Sequence, residues 1–78
     1  MKPYWAKHIL MAKLFSSKEI IKVLIDNGFL FVSQKGSHCK YRNNNRVVIV
    51  PHPKKEIPVG TFRSIVRQSG LSIDKFFV

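Results

Sequence analysis

Residues 29–51 read Phe29-Leu30-Phe31-Val32-Ser33-Gln34, Lys35-Gly36-Ser37, His38-Cys39-Lys40-Tyr41-Arg42, Asn43-Asn44-Asn45, Arg46-Val47-Val48-Ile49-Val50, Pro51. The first run is aromatic and β-branched, the second alternates and the third is β-branched, as strands are. Two short polar breaks divide them. Lys35-Gly36-Ser37 has the glycine of a tight turn, and Asn43-Asn44-Asn45 has residues that tolerate positive φ. Pro51 and Pro53 cannot donate to a ladder and stop the third strand. The stretch therefore predicts a three-stranded antiparallel meander. In the middle strand, His38, Lys40 and Arg42 fall on one face, and Cys39 and Tyr41 on the other.

A helix is predicted on each side of this meander. Before it, Ser16-Ser17-Lys18-Glu19 has the capping-box form, with Phe15 and Ile20 at hydrophobic-staple spacing. Ile20, Ile21, Leu24 and Ile25 make one apolar face, and Asn27-Gly28 is a stop. This predicts a helix over Ser17–Asp26. After the meander comes the loop Pro51-His52-Pro53-Lys54-Lys55-Glu56-Ile57-Pro58. A second helix is predicted to open at Gly60-Thr61, to bury Phe62, Ile65, Val66 and Ser69, and to end at Gly70. Arg63 and Arg67 lie on another face. Residues 72–76 suit one further turn. The predicted class is α+β, in the order α-β-β-β-α, with both helices on one sheet face and the other face open. This order resembles the double-stranded-RNA-binding fold.

The chain has 78 residues, with 14 Lys and Arg against 4 Asp and Glu, a formal net charge of +10. No acid lies between Asn27 and Lys55, a stretch that carries Lys35, Lys40, Arg42, Arg46, Lys54 and Lys55. So one-signed a centre points to a polyanion, nucleic acid above all. The single cysteine, Cys39, cannot form an internal disulfide. His8, His38 and His52 show no metal-ligand spacing, so neither metal nor cofactor is expected. The apolar part of residues 1–13 is short and broken by Lys7, His8 and Lys13. It fits neither a signal-peptide core nor a membrane helix, and a cytoplasmic protein is expected.

Several pieces together resemble the HicA toxins of bacterial toxin–antitoxin pairs. They are residues 17–24 (Ser17-Lys18-Glu19-Ile20-Ile21-Lys22-Val23-Leu24), Asn27-Gly28-Phe29, Lys35-Gly36-Ser37-His38 with Tyr41, and Val50-Pro51-His52-Pro53. Residues 57–65, from Ile57-Pro58-Val59-Gly60-Thr61 to Ile65, and Gln68-Ser69-Gly70-Leu71 complete the set. Each piece is weak alone; in order and at normal spacing they are specific. The resemblance implies cleavage of messenger RNA by a toxin that a HicB antitoxin neutralises. It also implies a catalytic histidine in the Gly-Ser-His motif, here His38. Residues 14–78 correspond to the toxin domain. Residues 1–13 precede the region where such toxins begin, with Met11 as an alternative start.

RNA cleaves when its 2′-oxygen attacks the adjacent phosphorus. The reaction needs a base, an acid, and positive charge around the phosphate. Histidine suits proton transfer near neutral pH, and Lys and Arg suit the charge. This route needs no metal. Gly36 allows the backbone close to a phosphate, where Ser37 and the turn amides would hold it. Lys35 and Lys40 flank His38, and Lys54 and Lys55 are further candidates for phosphate contact. The second proton-transfer group is not evident; His52 is the best candidate for this secondary role, and it reads equally as a rigid loop residue between two prolines. Residue chemistry alone leaves two alternatives open: an RNA-binding module that blocks translation by occupancy, and a DNA-binding repressor. The latter has no helix-turn-helix signal.

Overall fold

Ser16 has an extended backbone and its hydroxyl accepts from the Glu19 amide at 3.1 Å, while the Glu19 carboxylate accepts from the Ser16 amide at 2.9 Å. This reciprocal cap starts α1 (Ser17–Asp26) where the sequence places it. At the far end, Gly28 takes φ +93°. The Phe29 amide donates to the Leu24 carbonyl at 2.9 Å and the Gly28 amide to the Ile25 carbonyl at 3.1 Å. That is the paired Schellman arrangement, and Phe29 and Leu24 are both buried beside it. The computed structural model describes residues 14–77; the expected N-terminal extension, residues 1–13, lies outside them.

The remaining elements are β1 (Leu30–Lys35), β2 (His38–Asn43), β3 (Arg46–Pro51), α2 (Val59–Ser69) and a 3-10 turn, Ile73–Phe76. The strands form one antiparallel sheet in the order β1-β2-β3. The α+β class and the α-β-β-β-α order therefore hold. Cys39 and Tyr41 of β2 and Val48 and Val50 of β3 are buried with Ile20 and Leu24 of α1 and Phe62 and Ile65 of α2. Both helices thus cover the same sheet face. Each fully buried side chain of this size stabilises the fold by about 1.5–3 kcal/mol. Phe15 stacks on Phe62 at 5.0 Å and meets Phe77 edge-on at 5.2 Å, tying the entry of α1 to α2 and the C-terminal residues.

Some boundaries differ from the sequence expectation. Lys35 pairs with His38, and Asn43 with Arg46, so each turn is reduced to two residues, Gly36-Ser37 and Asn44-Asn45. Gly36 has φ +57° and Ser37 does not share it, the order a hairpin of the II′ kind requires. α2 begins at Val59 with Pro58 as its cap residue, because the Pro58 carbonyl already accepts from the Phe62 amide at 2.9 Å.

β1 departs most. The strand expected over residues 29–34 runs Leu30–Lys35, and all six of its residues are exposed. The helices pack over β2 and β3, and β1 overhangs as an edge. It also carries a bulge: Phe31 pairs with Tyr41 and Ser33 with Lys40, leaving Val32 as an extra residue. Among the described residues, no helix is long and apolar enough to cross a membrane.

Candidate nucleic-acid interface

His38 is the first residue of β2, directly after the Gly36-Ser37 turn, and its side chain is exposed. Its cross-strand partners are Lys35 of β1 and Pro51 of β3. Residues opposite one another share a face, so Lys35 and His38 stand side by side on the uncovered face of the sheet. Lys40 and Arg42 follow at two-residue steps on that face. Lys40 is half-buried and Arg42 exposed. The bulge at Val32 makes this grouping possible. Lys35 lies four residues beyond Phe31, which faces the helix side with Tyr41; regular alternation would send Lys35 to that side as well.

Lys54, Lys55 and His52 occupy a different place. They line an open groove of about 430 Å³ at the N-terminal end of α1, together with Ser16, Ser17 and Lys18. The His52 side chain turns toward α1: its Nδ1 lies 2.7 Å from Ser17 Oγ. Ser17 is almost fully buried, at 1% exposure. Its hydroxyl accepts from the Lys54 amide at 2.9 Å and reaches the Lys54 carbonyl at 3.2 Å. The Ser17 amide donates to that same carbonyl at 2.9 Å. One buried serine therefore fixes both the imidazole of His52 and the backbone of Lys54, with Nε2 left as the open ring nitrogen. The His52–Pro53 peptide is cis.

The two groups meet through the backbone. The His52 amide donates to the Ser37 carbonyl at 2.7 Å, so the turn ahead of His38 and the loop bearing His52 run side by side. The predicted site residues all lie at one end of the sheet but form two clusters. Lys35, Gly36, Ser37, His38 and Lys40 belong to the turn and the open face; His52, Lys54 and Lys55 belong to the groove beside α1. Sequence reasoning gave His52 no partner and gave Ser17 no role beyond helix formation. The signal available was the doubled serine: Ser16 suffices for the cap, which leaves a second hydroxyl without a helical task.

Tyr41 lies beside α1, in a groove it shares with Ile21, Ile25 and His52. Burial raises its phenol above the ordinary tyrosine pKa, with the charge of an ionised Cys39 adding to the effect, so it remains a neutral core group near neutral pH. Among the described residues, no group of three or more His, Cys, Asp or Glu is arranged to hold a metal ion.

The family model for the HicA toxin of bacterial toxin–antitoxin systems matches residues 17–71 of this chain. That span runs from the first residue of α1 to just past α2 and includes both clusters. No curated protein matches the chain.

Proposed function

The chain belongs to the HicA toxin family, the toxin half of a toxin–antitoxin system, and on that premise we propose that it is a metal-independent endoribonuclease acting on messenger RNA. The observation that carries this reading is the position of His38: exposed, first after a glycine turn, and beside Lys35 on a basic sheet face.

In this reading the RNA backbone lies across the Gly36-Ser37 turn. His38 takes the proton of the 2′-hydroxyl as its oxygen bonds to phosphorus. The bond from phosphorus to the 5′-oxygen breaks, and that oxygen leaves with a proton returned from the imidazolium. Lys35 and Lys40 offset the charge that gathers on the phosphate oxygens. Lys54, Lys55 and His52 bind the neighbouring backbone, and positioning of the strand supplies much of the rate. An antitoxin of the HicB class blocks the reaction by covering His38.

The test is His38→Ala in the full chain, assayed for RNA cleavage and RNA affinity with and without EDTA. Cleavage by the native chain is expected to survive EDTA. The variant is expected to lose cleavage, by about 100-fold or more for a lost proton-transfer group, while RNA affinity stays within about threefold, because Lys35, Lys40, Lys54 and Lys55 remain. A variant that still cleaves removes His38 from the mechanism. Inhibition by EDTA, reversed by a divalent ion, defeats the metal-free route. Toxicity without cleavage favours arrest of translation by occupancy alone.

A further inference from the structure

The fold leaves β1 uncovered. Leu30 is 71% exposed, Phe31 55% and Val32 47%, and Ile25 on the adjoining side of α1 is 51% exposed. Leu30 stands opposite Arg42 on the open face; Phe31 and Ile25 belong to the helix side. Ile21, Ile25 and Tyr41 line an open groove of about 340 Å³ beside α1, with Lys18, Lys22, Asp26 and His52 also lining it, and the Phe31 ring meets Tyr41 edge-on at 5.7 Å. Phe31 therefore continues the apolar wall onto the strand. Among the described residues, no strand pairs with the outer edge of β1. Exposed apolar side chains with a polar rim, next to an unpaired edge, mark a place where another chain binds.

The charge around it selects the occupant. On the open side of the sheet, β1 and its neighbour present Lys35, Lys40 and Arg42. A second copy of this chain would bring another net charge of +10 to the same place, and repulsion disfavours it. Tyr41 is buried and Phe31 is the one exposed ring here, whereas unpaired bases are bound on several exposed aromatic rings and guanidinium planes; this favours a protein over RNA.

We propose that β1 and the groove beside α1 dock an extended, acidic segment of the antitoxin. Its alternate apolar side chains enter the groove at Phe31, Tyr41 and Ile25, and its acidic side chains turn to the open face over Lys35, Lys40 and Arg42. Extended peptides bind sheet edges by this division of labour, with pockets on one side and backbone pairing along the edge. The inference rests on the reading of the chain as a toxin held by an antitoxin. It adds a docking site separate from His38, and it explains an apolar strand that the core does not use.

The experiment uses the full chain and its cognate antitoxin, purified from co-expression. Phe31→Ser and Val32→Lys change exposed residues outside the proposed RNA site. Antitoxin affinity is measured by calorimetry, RNA cleavage by the free toxin on a labelled transcript, and β1 amide protection by hydrogen exchange. Each variant is expected to bind antitoxin at least tenfold more weakly, to cleave RNA within twofold of the native rate, and to keep its thermal midpoint. In the native complex, the outward amides of β1 gain protection. Antitoxin affinity unchanged within twofold overturns the proposal, whatever the cleavage result. So does full protection of those amides in the free chain, which would mean that residues 1–13 or a second copy already occupies the edge. Loss of cleavage with antitoxin affinity retained assigns the patch to RNA instead and also overturns it. Weakened antitoxin binding by a chain that never cleaves RNA supports the docking site and defeats only the nuclease reading.

Discussion

At the scale of single residues, His38 and Ser17 differ in how openly the sequence announces them. His38 sits in a short motif between a glycine turn and an alternating strand, so its exposure and its basic neighbours follow from local rules. Ser17 looks like one more helix-starting residue; its role appears only when the loop 37 residues away folds back on it. Its hydroxyl is the buried partner of the Lys54 amide. Ser17→Ala orphans that amide and frees the His52 ring. Losing a hydrogen bond of this kind costs about 0.5–1.5 kcal/mol, so the midpoint of urea unfolding should fall accordingly and the Lys54 amide should exchange faster. A variant as stable as the native chain would mean that water replaces the hydroxyl and that Ser17 is not the anchor described.

At the scale of elements, both helices were legible from their apolar periodicity and glycine stops, and α1 also carries its own start. The capping box and the glycine stop of α1 are local chemistry, and the structure realises them bond for bond. β1 was legible as a strand and not as an edge. Its residues have strand propensity, but burial depends on which strands the helices reach, and no local pattern encodes that. The junction between α1 and β1 gives the clearest test at this scale. Gly28 has φ +93°, and a Cβ there would sit 3.0 Å from the Asn43 side-chain nitrogen, which itself donates to the Asn27 carbonyl at 3.3 Å. Gly28→Ala is expected to cost about 1–2 kcal/mol for the left-handed backbone alone, with further loss if Asn43 is displaced. Chemical denaturation measures it; a loss below about 0.5 kcal/mol would mean that the helix stop tolerates a side chain.

At the scale of the whole molecule, charge was the most legible property and also the least specific. A net charge of +10 predicted a polyanion without saying where it lies. The fold concentrates the relevant lysines at one end of the sheet but on two surfaces, a separation that sequence distance conceals. If Lys35, Lys40, Lys54 and Lys55 each neutralise one phosphate, log K should fall with log salt at a slope of about −3. Affinity for RNA then drops roughly 50- to 150-fold between about 50 and about 200 mM salt. Lys35→Gln should flatten the slope by a little under one unit. A native slope near zero, measured by fluorescence anisotropy, would show that phosphate contacts do not carry the binding.

The bulge at Val32 settles a matter of parity. Phe29 must face the core and Lys35 must stand beside His38 on the opposite side, yet the six steps between them form an even count. A strictly regular strand of this length would satisfy one requirement and break the other. The single extra residue reconciles them, so the length of β1 is part of the information the site needs. Deleting Val32 would straighten the strand and keep every present pairing. The odd count that remains meets both requirements by regular alternation alone, so the bulge answers to the length of β1 and not to any amino acid of the site.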